Sequence, residues 1–256
     1  MKGGQVKMII DSYDIESDPI VNFEAFYGAK KNLVEICLVI FSVEIYEHLL
    51  SQYECRQIAE ICVCNGNIPI WSFQRNNREI AFYLTHIGSA CAGELTAEVN
   101  HLTGAYKFIM FGSCGRLDNS ITNGRFIIPS QAYRGEGMSY YFAKPQDYIS
   151  IKNADRLERI FTELSIPFVK GKVWTTDCPL RETVNLVNKR KEEGCIAVEM
   201  EVAGVQAVCD FYGFELYDFL SAGDVLAEGD YQIEKLSDAN HNLDKLQIAL
   251  QISERI

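Results

Sequence analysis

Residues 106–115 read YKFIMFGSCG: an apolar run of strand length passes straight into a serine and a cysteine held between glycines. A continuous apolar run bounded by glycine suits a strand buried inside a sheet. Just before it, residues 92–102 have helical spacing and Gly104 supplies the stop. Helix, glycine stop, buried strand and small-residue turn in that order describe an α/β unit, and a turn at a strand end is where such folds place ligands.

The same alternation runs outward in both directions. Residues 32–42 (NLVEICLVIFS) read as a buried strand, followed by a helical stretch to about residue 53. Residues 68–73 and 79–85 are strand-like, and the polar cluster QRNNR between them predicts a hairpin that ends near Gly88. Downstream, residues 124–129 predict a short strand, 151–164 a helix with its charges outward, and 168–175 a strand. Then come a charged helix over 182–193, a brief strand over 195–198 and an apolar helix over 202–212 that stops near Gly213. Residues 214–221 are the last strand and 237–256 the closing helix. This pattern predicts an α/β fold with a mixed, mostly parallel central sheet flanked by helices. No repeat, low-complexity tract or linker interrupts it, so residues 1–256 are expected to form a single domain.

Composition narrows the function classes. Hydrophobic residues make up 48% and charged residues 23% of the 256 positions, which is globular rather than disordered composition. The formal net charge of -11 argues against a nucleic-acid or membrane partner, because no Lys/Arg stripe offsets it: Lys189, Arg190 and Lys191 run directly into Glu192 and Glu193. The nine cysteines lack disulfide or zinc spacing and are expected to be reduced and mostly buried. Cys62 and Cys64, in an apolar stretch, are read as core residues, and no metal is expected. Residues 1–12 lack an apolar leader core and no run reaches a membrane-spanning length, so the expected location is the cytoplasm.

Candidate chemistry sits in three places. Gly112-Ser113-Cys114-Gly115 matches neither a phosphate-binding loop nor a hydrolase nucleophile elbow, yet its small residues and free N–H groups suit an anion or a sugar oxygen; the same segment also serves as a plain tight connection. Glu199 and Glu201 interrupt the apolar run IAVEMEVAGVQAV, and a carboxylate there must find donors. Vicinal sugar hydroxyls are such donors; the N-terminus of the following helix is another. Asp224 ends the apolar strand FELYDFLSAGDVL after Gly223, the usual place for a general acid, and equally a common turn residue.

Taken together and in this order, FGSCG at 111–115, AVEMEVAG at 197–204 and SAGD at 221–224 resemble the purine nucleoside and uridine phosphorylase family, whose superfamily also contains nucleosidases that use water. Gly88-Ser89-Ala90, Glu136-Gly137-Met138-Ser139 and Thr175-Thr176-Asp177 fall where members also carry ligand-facing segments, so the likeness covers most of the chain. The resemblance implies a pentosyltransferase that cleaves the N-glycosidic bond of a nucleoside. In it Glu201 holds the ribose 2′ and 3′ hydroxyls with Met200 beneath the sugar and Glu199 beside them, Ser113 and Gly112 contact phosphate, and Asp224 protonates or hydrogen-bonds the purine at N7. Gly88, Asp177, Arg181 and Arg75 are further candidates for base or phosphate contacts. Inorganic phosphate is then a co-substrate, no organic cofactor or metal is needed, and a homo-oligomer, hexamer or dimer, completes each site.

Two departures bear on the nucleophile. Family members commonly carry a phosphate-binding arginine two residues before the first glycine, where Met110 stands here, and of the N-terminal G-D-P-x-R loop only Ser17-Asp18-Pro19-Ile20 remains as an echo. Arg75, Arg78 or another arginine from this or a neighbouring subunit then holds phosphate, or water replaces it. Phosphorolysis of a purine nucleoside to base and ribose 1-phosphate is the leading expectation. The alternatives are a hydrolytic nucleosidase, methylthioadenosine-type substrates included, a uridine phosphorylase that uses Arg181 on a pyrimidine carbonyl, and a catalytically silent nucleoside-binding protein.

Overall fold

A computed structural model describes residues 12–226 and 231–256. The reading of the first residues as lacking an apolar leader falls, but for Ser12, outside them. After a short helix α1 (Phe23–Tyr27), the chain alternates through β1 (Ile36–Ile40), α2 (Val43–Gln52), β2 (Arg56–Val63), β3 (Gly66–Arg75), β4 (Arg78–Leu84) and α3 (Ser89–Thr103). It continues with β5 (Lys107–Arg116), α4 (Asn119–Thr122), β6 (Phe126–Gly135), β7 (Tyr148–Ser150), α5 (Ala154–Glu163), β8 (Phe168–Thr176), α6 (Val184–Glu192), β9 (Cys195–Glu199) and α7 (Val202–Tyr212). Strand β10 (Glu215–Val225) and helices α8 (Leu236–His241) and α9 (Leu243–Ser253) end it.

The ten strands among the described residues join one mixed sheet in the order β10-β6-β8-β9-β5-β1-β4-β3-β2, with β7 beside β6. Strand β10 also pairs with β5, so β5, β10, β6, β8 and β9 close on themselves. Strand β1 (ICLVI) lies parallel between β4 and β5 and is buried along its whole length, as a strand covered on both faces must be. Phe219 centres the core of the closed part, 5.9 Å from the rings of Phe111 and Phe126 and 5.4 Å from Phe161. The predicted α/β class and mixed central sheet are therefore present. Among the described residues no helix is long and apolar enough to cross a membrane.

The differences have local causes. The GSCG segment is not a turn: β5 runs on through it, and Ser113 pairs with Ser221 of β10. Its glycines serve close packing, since a Cβ on Gly115 would lie 2.4 Å from a Leu226 methyl and 3.0 Å from Val198. Strand β6 continues past Pro129 because a register shift against β8 between Pro129 and Gln131 absorbs the missing N–H. The closing helix breaks in two at Asn242, whose side chain accepts from the Asp244 N–H at 2.8 Å and caps α9. Strand β2 pairs only with β3 at the sheet edge, which leaves Cys62 and Cys64 exposed rather than in the core. The cysteines as a set are not mostly buried: Cys37, Cys114, Cys195 and Cys209 are, whereas Cys62, Cys64, Cys91 and Cys178 are exposed and Cys55 is half-buried.

Helices α3 and α7 pack through small residues. A Cβ on Gly204 would stand 2.6 Å from Ser89 Cβ and 2.8 Å from its Oγ, a hydroxyl that donates to the Met200 carbonyl at 2.9 Å. Gly204→Ala is therefore expected to destabilise the fold by about 2 kcal/mol through overpacking. Urea unfolding checks this, and a midpoint equal to the parent's would show that α3 gives way at no cost.

Candidate active site

The carboxyl ends of β5, β9 and β10 open into a cavity of about 830 Å³. Of the residues singled out in the sequence, Gly112, Ser113, Glu199, Met200, Glu201 and Asp224 line it. Helix α7 positions the central group. Its N-terminal N–H groups need acceptors, and Glu199 Oε2 takes those of Glu201 and Val202 at 2.6 and 2.7 Å. The other oxygen of Glu199 accepts from the Thr175 hydroxyl, which in turn accepts from Ala203 N–H at 3.0 Å. Glu199 thus caps α7 from the cavity wall, with three of its acceptor sites engaged in holding the entry to that helix.

Glu201 is held differently. Its Oε1 accepts from the Gly88 N–H at 2.7 Å, and Gly88 adopts φ +102°, a conformation that favours glycine. A backbone bond from Met200 also reaches this carboxylate, which lines the cavity. Burial pushes the carboxyl of Glu201 above its ordinary value and that of Glu199 further, with the Glu201 charge adding to the latter. Buried carboxylates this close resist ionising together.

At the other side of the cavity a register shift between Ala222 and Val225 turns the end of β10, and with it Asp224, off the regular pleat. The hydroxyl of Tyr231 hydrogen-bonds the Asp224 carboxylate. Glu182, also on the cavity wall, has its carboxyl pushed up to about 7 by burial first and by the Asp224 charge second. The Ser113 hydroxyl donates to Asn240 Oδ1. Lys245 from α9 donates to the carbonyls of Asn240 at 3.1 Å and Gly112 at 3.3 Å.

Four candidates stand apart from this cavity. Arg75 lies on β3, paired with Glu254 at 3.0 Å and bonded to the Tyr53 hydroxyl at 3.1 Å. Asp177 accepts from the Gly137 N–H at 3.0 Å, and Arg181 is exposed beside it; neither lines the cavity. Arg78 is bonded to the carbonyls of Ser253 and Ile256. Sequence reasoning misses Glu182, Tyr231, Asn240 and Lys245, which arrive from segments without a motif.

The model of the phosphorylase superfamily matches residues 35–253. The chain belongs to that superfamily. Among its relatives, the DeoD-type purine nucleoside phosphorylases of Bacillus cereus (strain ZK / E33L) and Bacillus thuringiensis (strain Al Hakam) are each 27% identical over 138 residues, 52% of this chain. The matched stretch spans 59% of each relative's own length. Among solved members of this fold, futalosine hydrolase of Helicobacter pylori strain 26695 superposes with a TM-score of 0.70 at 15% identity, covering 88% of this chain and 99% of the other. Helicobacter pylori MTAN gives 0.67 at 17%, covering 87% and 100%. The superfamily cleaves glycosidic bonds, and its fold here carries both phosphorylase and hydrolase likenesses.

Proposed function

We propose that this site cleaves a purine nucleoside by phosphorolysis to free base and ribose 1-phosphate. The observation that carries the reading is that Glu201 and Asp224 face a single cavity that also takes in Met200 and Ser113. A space of about 830 Å³ suits a nucleoside with an anion beside it. The ribose hydroxyls donate to Glu201 while Met200 packs beneath the sugar. The bond from C1′ to N9 breaks with its electron pair going to the base, Asp224 supplies the proton at N7, and a phosphate oxygen forms the new bond to C1′ from the opposite face. Neutralising the leaving base and holding the nucleophile both act on the oxocarbenium-like transition state. The reading includes a homo-oligomer working in the cytoplasm without organic cofactor or metal.

A second reading, hydrolysis by the same residues, is favoured by one observation: among the described residues no arginine lines the cavity, and Met110 is buried at 1% exposure. Base release from inosine, adenosine, guanosine, uridine and methylthioadenosine, with and without inorganic phosphate, separates them. Phosphate-dependent release from purine nucleosides with ribose 1-phosphate formed is expected. Equal release without phosphate would make water the nucleophile, and no release from any of the five would sink both readings.

A further inference from the structure

Lys245 is one of the few charges buried among the described residues. It lies in the first turn of α9 and is 2% exposed. Its ammonium has three N–H donors, of which the Asn240 and Gly112 carbonyls occupy two. No ion pair among the described residues includes it. Apart from those two carbonyls, the position opposes a cation: water is withdrawn, the helix N-terminus is itself positive, and among the described residues no carboxylate pairs with the charge. Burial accordingly pulls its pKa down to about 8, with only the Cys114 thiol acting the other way. A methionine or leucine would fill the same volume without these costs.

The surroundings say what would offset them. Gly112, Ser113, Asn240 and Lys245 all line the cavity, and Asn240 joins the two donors, accepting from the Ser113 hydroxyl on its side chain and from Lys245 on its carbonyl. The Lys245 ammonium, with one N–H left over by the Asn240 and Gly112 carbonyls, meets the cavity there beside the Ser113 side chain, and an oxyanion supplies the opposite charge it lacks.

We propose that Lys245 is the cationic anchor of an oxyanion subsite that takes inorganic phosphate against Gly112 and Ser113. It supplies, from the closing helix, the positive charge that Met110 does not supply from β5. For its part in turnover the assignment rests on the phosphorolytic reading above; for binding it stands alone.

Calorimetric titration of inorganic phosphate into the full chain, without nucleoside, tests it on the parent, Lys245→Met and Lys245→Gln, with thermal melts of each. The parent is expected to bind phosphate and to melt higher in its presence. Both variants are expected to fold, with the methionine variant melting no lower than the phosphate-free parent, and to bind phosphate roughly 100-fold more weakly, the scale for removing one partner of a buried charge contact. In turnover the KM for phosphate rises while that for nucleoside stays within about threefold. Phosphate binding by either folded variant at the parent's affinity, or no binding by the parent, overturns the assignment. Binding that depends on Lys245 in a protein that cleaves no nucleoside would leave the subsite standing and remove the proposed function; phosphate-dependent cleavage unaffected in the variants would do the reverse.

Discussion

Asp224→Asn is expected to lower kcat for purine release by roughly 10²–10⁴-fold, the usual contribution of a positioned general acid, with nucleoside affinity changed only a few-fold. Asparagine keeps the shape of the side chain and an oxygen that can accept from Tyr231. What it loses is the proton for N7. The leaving base must then depart as an anion, so the deficit falls on the chemical step and not on binding. Glu182 gives the variant a second signature. Its carboxyl stands near 7 through burial first and the Asp224 charge second. Removing that charge lets it fall toward the ordinary carboxyl range, a downward shift that carboxyl titration of the variant beside the parent would read. The measurement is steady-state base release across pH beside equilibrium binding of the nucleoside. A variant with parental kcat would take Asp224 out of the reaction, whatever its place on the cavity wall.

What the sequence makes legible follows the reach of each physical signal. Strand β1 and helix α7 are readable because one is a continuous apolar run and the other is bounded by a polar entry and Gly213, which takes the left-handed conformation at φ 76°. The hairpin of β3 and β4 is readable because Asn76 and Asn77 tolerate the positive φ its turn requires. Strand β2 is not, since an edge strand with one partner has no uniform burial to imprint on its residues. The site divides along the same line. Glu201 and Asp224 announce themselves as charges set in apolar runs, whereas Glu182 and Lys245 sit among other polar residues and look solvated. Only the return of α9 against β5 shows Lys245 buried on the Gly112 carbonyl. Arg75 stands away from the cavity for the converse reason: its charge is unassigned in the sequence and paired with Glu254 in the fold.

Glu199 tests whether a residue can be indispensable to the site without touching the ligand. Glu199→Ala is expected to cost about 3 kcal/mol of stability, because the N–H groups of Glu201 and Val202 and the hydroxyl of Thr175 all lose their acceptor in a buried place. The disturbed backbone is that of Glu201 itself, so ribose binding should weaken with it. Glu199→Gln keeps one oxygen for the two N–H groups and is expected to remain within about 1 kcal/mol of the parent. The pH dependence separates the charge from the cap. Burial and the neighbouring Glu201 raise the Glu199 carboxyl from its ordinary 4.5. The unfolded chain therefore releases this proton first, and the resulting penalty, absent below 4.5, grows as pH rises and is complete above the raised value. Urea unfolding from acid to neutral pH should show the parent losing more stability over that interval than the glutamine variant, which lacks the titrating group. Parallel curves would mean that Glu199 carries no such penalty, and an alanine variant as stable as the parent would remove it from the N-terminus of α7.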